Sequence, residues 1–153
     1  MSVDRRLIGG LVLSAAGLVG ILSHEAFKSQ AYHDVVGVDT IGFGTTEGVK
    51  DGDKITVEQA LIRALNDVSK FEGALKKCVV VPLNQNEYDA YISLSYNIGS
   101  GAFCKSTLVK KLNQLDYAGA CSEILRFNKA EGKFNKGLDN RRREEYDLCI
   151  KQS

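Results

Sequence analysis

An uncharged apolar run, LIGGLVLSAAGLVGILS, occupies residues 7–23 and must be buried either in protein or in a membrane. As a helix it would span about 25 Å at ~1.5 Å per residue, against a bilayer core of roughly 30 Å. Arg5 and Arg6 precede it, and their positive charge is typical of a cytoplasmic flank. Eight of its seventeen residues are glycine, alanine or serine, so the run is only weakly apolar for a membrane anchor.

Three interpretations of this run are open. A cleaved signal peptide requires small residues at its cleavage site, but His24-Glu25-Ala26 follows the run. The run also suits a buried core helix of a cytoplasmic protein. The sequence favours the third interpretation, an uncleaved export segment whose low hydrophobicity lowers the cost of leaving a membrane. In all three, we predict one apolar helix from residue 1 to about residue 28.

The length and charge of the chain favour one globular domain and give no strong electrostatic case for a nucleic-acid partner. A chain of 153 residues suits a single domain. A net charge of +1 gives no electrostatic basis for binding nucleic acid.

The chain has four cysteines but lacks the spacing of a zinc site. No pair forms Cys-x-x-Cys, and both histidines, His24 and His33, lie far upstream. An even number of cysteines behind an export segment favours two disulfides, with four buried thiols as the alternative. Spacing does not choose among the three possible pairings. The cysteines are Cys78, Cys104, Cys121 and Cys149.

Turn-forming and β-branched residues alternate between Gln30 and Gly44, which predicts a short hairpin or small sheet. From Val57 onwards, apolar residues recur at helical spacing. Predicted helix starts are the capping box Thr56 to Gln59, and the capping residues Asn84, Ser106 and Asp116. A last helix is predicted from about Leu138 to Ile150. The fold class is therefore α+β, with a small sheet lobe near the N-terminus and a larger helical lobe.

Two carboxylates near the hairpin suit the cleavage of a glycosidic bond, which generally needs one protonated and one ionised carboxyl group. Glu25 is expected at the end of the apolar helix, where burial would raise its pKa. Asp34 lies nine residues further on, in the turn-rich hairpin, where exposure favours the ionised form. The Thr40 hydroxyl is expected to hold a water molecule with Asp34. Taken alone, Glu25 also suits a solvated surface group and Asp34 a turn former.

The segment Glu25-x8-Asp34-x5-Thr40-Ile-Gly-Phe-Gly44 resembles the phage lysozymes of glycoside hydrolase family 24, in which a Glu, an Asp and a Thr recur at this spacing. Two further blocks resemble the same family. One runs from Val81 to Asn113 and includes SYNIGSGAF, and the other is GLDNRRRE at residues 137–144. The resemblance covers residues 24 to about 149 and implies a lysozyme-like fold.

This resemblance implies an endolysin that hydrolyses the β-1,4 bond between N-acetylmuramic acid and N-acetylglucosamine in peptidoglycan, without cofactor or metal, for host cell lysis. Glu25 would be the general acid, and Asp34 would position or activate water with help from Thr40. Arg141 matches an arginine that approaches the catalytic Glu, with a solvated basic run as the alternative. Asn97 falls where the family lines its substrate cleft, although it also suits a helix end. The family further implies inversion at the anomeric carbon.

Residues 1–23 resemble the signal-arrest-release segments of some phage endolysins, which leaves residues 24–153 as the catalytic domain. The resemblance implies an inactive form tethered in the host inner membrane through residues 7–23, and then an active form released into the periplasm. After release, residues 7–23 are expected to refold as the helix that leads into Glu25. Some relatives carry a cysteine thiol switch in this segment, but residues 1–77 contain no cysteine. Membrane depolarisation or extraction is therefore the expected trigger, and we expect a monomer.

By family position, Cys121 pairs with Cys149 and Cys78 with Cys104. One departure from the family follows the Gly-x-Gly motif, where Thr45 replaces a histidine that many relatives carry. What that histidine contributes to hydrogen bonding in the cleft is therefore in question for this chain.

Two other functions compete with the enzyme. A catalytically inactive peptidoglycan-binding protein on the same scaffold is disfavoured, because Glu25, Asp34 and Thr40 are all present. A membrane-anchored interaction protein would leave the spacing of those three residues unexplained.

Overall fold

The computed structural model describes residues 4–152 of the chain. They form helices, two short hairpins and the loops that connect them. The helices are α1 (Ala15–Ser23), α2 (Val57–Cys78), α3 (Gln85–Ile98), α4 (Ser100–Cys104), α5 (Thr107–Asn113), α6 (Tyr117–Glu123) and α7 (Lys136–Ile150). The strands are β1 (Lys28–His33), β2 (Asp39–Gly42), β3 (Lys129–Ala130) and β4 (Lys133–Phe134). β1 pairs with β2 and β3 with β4, so the α+β class is confirmed.

The chain divides into two compact units, one formed by Val19–Lys70 and the other by Met1–Leu18 together with Phe71–Ser153. We call them the hairpin unit and the helical unit. The hairpin unit contains β1 and β2, and the helical unit contains α3 to α7. These units correspond to the small sheet lobe and the larger helical lobe that the sequence predicts.

The prediction of one apolar helix from residue 1 to about residue 28 is wrong within the described residues, and residues 1–3 lie outside them. The run instead contains a 3-10 turn at Ile8–Gly10, an irregular stretch and α1. Consecutive glycines disfavour a helix here, because each costs about 1 kcal/mol relative to alanine. Ser14 starts α1, since its hydroxyl accepts the main-chain N–H of Gly17 at 2.9 Å. Within residues 4–152, no helix combines the length and the apolarity needed to cross a bilayer.

Polar contacts attach residues 5–14 to the rest of the helical unit. The Arg5 guanidinium binds the Glu87 carboxylate through two nitrogens, at 2.9 and 3.0 Å. Main-chain N–H groups donate from Arg6 to the Leu83 carbonyl (2.8 Å), from Leu13 to Glu72 Oε1 (2.7 Å) and from Ser14 to Asp89 Oδ1 (3.1 Å). Three carboxylates therefore fix a stretch that the sequence pattern assigns to a helix.

The hairpin unit has a small core of Ile41, Ile55 and Ala60, which are all buried. The partly buried side chains packed against it are Phe27, Ala31, Phe43 and Val49. β1 and β2 run antiparallel, with Tyr32 opposite Thr40. This register brings the hairpin residues singled out by the sequence onto two adjacent strands and the turn between them.

Most helices begin at the capping residues that the sequence predicts. Thr56 and Gln59 form the expected capping box of α2, with hydrogen bonds of 3.0 and 3.2 Å. The other confirmed caps are Asn84 for α3, Ser106 for α5 and Asp116 for α6. The last helix begins at Lys136 rather than at about Leu138, because the Asn135 side chain caps it. The β3–β4 hairpin before it was not predicted.

Two disulfides lie in the helical unit. They join Cys78 to Cys104 and Cys121 to Cys149, with Cα atoms 5.6 and 5.8 Å apart. These are the two pairs that family position implies, and they replace the alternative of four buried thiols. A disulfide that closes a loop of this length stabilises a fold by about 2–4 kcal/mol.

A network of charged side chains is buried between α3 and α7. Nε of the fully buried Arg142 lies 2.7 Å from Glu145 Oε1. Ser93 donates to Glu145 Oε2 at 2.6 Å, and Arg141 donates to the Ser93 carbonyl at 3.1 Å. Burial raises the pKa of Glu145 and lowers that of Arg142. The attraction between the two charges therefore compensates for only part of the free-energy cost of removing each one from water.

Replacing Glu145 by Ala should lower the free energy of unfolding by about 3–5 kcal/mol, because a buried guanidinium would lose its counter-charge. Arg143→Ala is the control on the same helix. That side chain is 70% exposed in its ion pair with Asp139, so its loss should be nearly neutral. Urea unfolding followed by circular dichroism compares the two variants, and equal losses would contradict this account.

Candidate active site

Glu25 lies two residues beyond the end of α1, not in a long helix as the sequence suggested. Its main-chain N–H donates to the Leu22 carbonyl at 3.1 Å. The residue is half-buried, and its carboxylate lies so near Gly44 that a Cβ atom there would be only 3.3 Å from Oε2. Gly44 also has a φ of +89°, a conformation that glycine adopts without strain. The backbone conformation therefore favours glycine at this position, and a side chain there would displace the Glu25 carboxylate by a few tenths of an ångström.

Asp34 closes the turn between β1 and β2. Its Oδ1 accepts the main-chain N–H groups of Val36 and Val38, at 2.9 and 2.8 Å. The side chain is thus a turn former, as one interpretation of the sequence expects. Because both bonds go to Oδ1, Oδ2 remains to accept a hydrogen bond from another group.

Thr40 lies in β2 and is only 4% exposed. Its hydroxyl donates to the Val38 carbonyl at 3.0 Å. Because its single hydrogen is used in that bond, the hydroxyl can only accept a hydrogen bond from any further partner. The side chains of Asp34 and Thr40 therefore both bind the main chain of Val38, one at its N–H and the other at its carbonyl.

The phenol of Tyr32 is affected by the charges of both Glu25 and Asp34. Burial raises the pKa of the Tyr32 phenol most, and the negative charges of Glu25 and then Asp34 raise it further. Tyr32 also remains 40% exposed, so a ligand that reaches the carboxylates also meets this ring.

Asp67 is a carboxylate that the sequence analysis missed. It accepts the hydroxyl of the buried Thr45 at 2.6 Å through Oδ2. Burial raises the pKa of Asp67, and the Thr45 hydrogen bond and the charge of Arg63 oppose that rise. The sequence feature that could have identified Asp67 is its position three residues after Ala64, near the apolar side of α2.

Asn97 and Arg141, the two residues expected to bind substrate, belong to the helical unit. Arg141 is 5% exposed and donates to the Ser93 carbonyl, so it is not part of a solvated basic run. Asn97 Oδ1 accepts a hydrogen bond of 2.8 Å from Arg142, and Gly99 rather than Asn97 ends α3. Their assignment to substrate binding stays a prediction.

The hairpin unit thus contains all of Glu25, Asp34 and Thr40, two carboxylates and an accepting hydroxyl. Such a set can donate a proton at one carboxyl and orient water at the other. Across residues 4–152, no three His, Cys, Asp or Glu side chains are grouped so as to hold a metal ion.

Comparison with known proteins shows a consistent set of relatives. Residues 22–145 match the family model for phage lysozyme. The chain is 42% identical to the endolysin of Acyrthosiphon pisum secondary endosymbiont phage 1, over 89% of this chain and 96% of that one. It is 38% identical to the SAR-endolysin of Pseudomonas phage phiKMV, over 91% and 89%. The solved endolysin from Escherichia coli O157:H7 phage FAHEc1 has a TM-score of 0.82 and 41% identity, covering 93% of this chain and 95% of that one.

Asp67 should make folding stability depend on pH. Because burial raises its folded-state pKa, its contribution is fully present below the unfolded pKa of about 3.9 and is lost as pH rises through the folded pKa. Asp67→Asn removes this titration while retaining an oxygen acceptor for Thr45. Relative to the unmodified protein, the variant should therefore gain stability between about pH 3 and about pH 7. Urea unfolding across that range tests this, and a constant difference would show it to be wrong.

Proposed function

Because this chain belongs to the phage lysozyme family and is a muramidase that acts on peptidoglycan, we propose that Glu25, Asp34 and Thr40 are its catalytic residues. In this proposal they cleave the β-1,4 bond between N-acetylmuramic acid and N-acetylglucosamine. The observation that carries it is that Asp34 and Thr40 both bind the main chain of Val38, while the Glu25 carboxylate approaches the turn that follows the Thr40 strand. Thr40 lies opposite Tyr32 on the paired strand.

Glu25 acts as the general acid. Its carboxyl group gives its proton to the glycosidic oxygen while that oxygen leaves the anomeric carbon. The main chain of Gly44 passes close to Glu25 Oε2 on one side, so the turn after β2 limits the positions that the carboxyl group can take.

Asp34 and Thr40 hold the attacking water. One water hydrogen binds Asp34 Oδ2, and the other binds the Thr40 hydroxyl, whose own hydrogen is engaged by the Val38 carbonyl. As the water oxygen bonds to the anomeric carbon, its proton passes to Asp34, and the product has the inverted configuration. Glu25 is then ionised and Asp34 protonated, and exchange of one proton with solvent restores both.

Glu25→Gln should lower lytic turnover by about 10²–10⁴-fold, because an amide cannot donate the proton. Asp34→Asn should lower it similarly, while its amide oxygen still accepts the turn hydrogen bonds. The control is Asp39→Asn, a neighbouring carboxylate that binds His33 at 2.7 Å and should be dispensable. Turbidity loss of permeabilised Gram-negative cells measures all three.

Full lysis by Glu25→Gln would falsify the assignment. An inactive unmodified protein would favour the peptidoglycan-binding scaffold instead. Proton NMR of the first product anomer reports the stereochemistry, and a retained configuration would remove the role given to water.

We also propose that residues 1–23 tether the protein to the host inner membrane before release, leaving residues 24–153 as the catalytic domain. The uncharged run at residues 7–23 and the similarity to a SAR-endolysin support this. The released form is a monomer in the periplasm, an oxidising compartment that suits its two disulfides. In that form, Glu72, Glu87 and Asp89 bind residues 5–14, and the tethered form lacks these contacts.

Replacing Gly9 and Gly10 by Leu should delay release, because a more apolar run leaves lipid less readily. The folded form tolerates the change, since a Cβ at either position meets no atom within 4 Å. Membrane fractionation before and after depolarisation should show more tethered variant and later lysis. Dithiothreitol should not trigger release, because residues 1–77 contain no cysteine. Equal release of the variant and the unmodified protein would contradict the tether.

A further inference from the structure

The turn of residues 43–45 lies along one side of the Glu25 carboxylate. A Cβ at Gly44 would lie 3.3 Å from Glu25 Oε2 and 3.6 Å from its Cδ. The main chain at Gly44 therefore passes beside the carboxyl group, with too little room between them for a side chain. Movement of this turn would change both the water access and the orientation of Glu25.

Three contacts of different kinds hold the turn. Ile41 and Thr45 exchange main-chain hydrogen bonds of 2.9 and 3.0 Å. The Phe43 ring packs on Phe27, with ring centroids 5.5 Å apart. The Thr45 hydroxyl donates to Asp67 Oδ2 at 2.6 Å, across 22 residues of sequence. This last bond ties the residue that follows Gly44 to helix α2.

The bond between Thr45 and Asp67 is strong but costly for the fold. A hydroxyl that donates to an ionised carboxylate forms a charge-assisted bond, which is stronger than a neutral one. Arg63, one helical turn before Asp67, supports the ionised form, although burial opposes it. A half-buried carboxylate therefore brings a desolvation cost that a neutral acceptor would avoid.

This bond also lies at the wall of a polar groove of about 380 Å³. The other side chains that line the groove are Glu47, Arg63, Asn66 and Lys70. Water in the groove can compete for either partner. Loss of the hydroxyl or of the acceptor should therefore free the turn without opening a cavity.

We infer that Asp67 is a positioning residue that acts through Thr45 to hold the Gly44 main chain against Glu25. This inference rests on the proposed role of Glu25 as the general acid. Neither Asp67 nor Thr45 needs to touch the substrate. Their loss should therefore change kcat much more than KM.

The test compares variants that break the bond with variants that retain it. Thr45→Val and Asp67→Ala remove a partner, whereas Thr45→Ser keeps the hydroxyl and Asp67→Asn keeps an oxygen acceptor. Thr46→Val is the matched control, because Thr46 is the exposed neighbour of Thr45. Each variant is assayed for kcat, KM and the pH profile of kcat/KM on soluble, uncrosslinked glycan strands, with circular dichroism to measure the folded fraction.

Thr45→Val and Asp67→Ala should lower kcat per folded molecule by about tenfold or more, since small displacements at a reacting group are costly. KM should change by less than about twofold. The basic limb of the pH profile should move to lower pH, because water that reaches a carboxyl group lowers its pKa. Thr45→Ser and Asp67→Asn should recover most of the activity, and Thr46→Val should match the unmodified protein.

The inference is overturned if Thr45→Val and Asp67→Ala lose stability while keeping kcat and the pH profile. It is also overturned if the conservative variants are as impaired as the disruptive ones. Should one disruptive variant not fold, the other decides. Glu25→Gln separates this inference from the proposed function. If Glu25→Gln is inactive but Thr45→Val is fully active, the proposed function stands and only the inference about Asp67 is wrong.

Discussion

The pairing register of β1 and β2 positions every candidate catalytic group of the hairpin. With Tyr32 opposite Thr40, Asp34 falls in the turn and Thr40 in the returning strand. A slip of one residue would turn Thr40 to the other face of the hairpin. Asp34 itself prevents such a slip, because its Oδ1 binds the N–H groups of Val36 and Val38. In the proposed mechanism the two oxygens of Asp34 have different roles, because Oδ1 builds the turn and Oδ2 binds the attacking water.

The two units are stabilised in different ways. The hairpin unit has a small apolar core and relies on bonds between side chains and main chain, of which those of Asp34 are examples. The helical unit has two disulfides, a segment of α3 from Glu87 to Ser95 in which every residue is buried, and a buried network around Glu145. Covalent links and desolvated charges tolerate little movement, whereas hydrogen bonds at a solvent-lined turn exchange readily with water.

Local features of this fold are readable in the sequence, and long-range polar contacts are not. Caps such as Asn84 and Ser106 act within three residues, so their chemistry appears directly in the pattern. The spacing of Glu25, Asp34 and Thr40 likewise predicts residues that share one unit. The apolar helix fails as a prediction because its competitors, Glu72 and Asp89, lie 59 and 75 residues from the groups they bind. Asp67 was not predicted for the same reason, because its partner Thr45 lies 22 residues away in the sequence.

The conformation of the apolar run at residues 7–23 depends on hydrogen bonds with carboxylates that are distant in the sequence. In lipid, each N–H of residues 7–23 would need an acceptor within the segment, which only a helix supplies. In the structure, the N–H groups of Leu13 and Ser14 find acceptors on Glu72 and Asp89 instead. In the proposed tether, the same stretch therefore forms a helix in lipid and this partly irregular structure after release. Its glycines suit both states, because they leave the stretch apolar and lower its helix propensity in water.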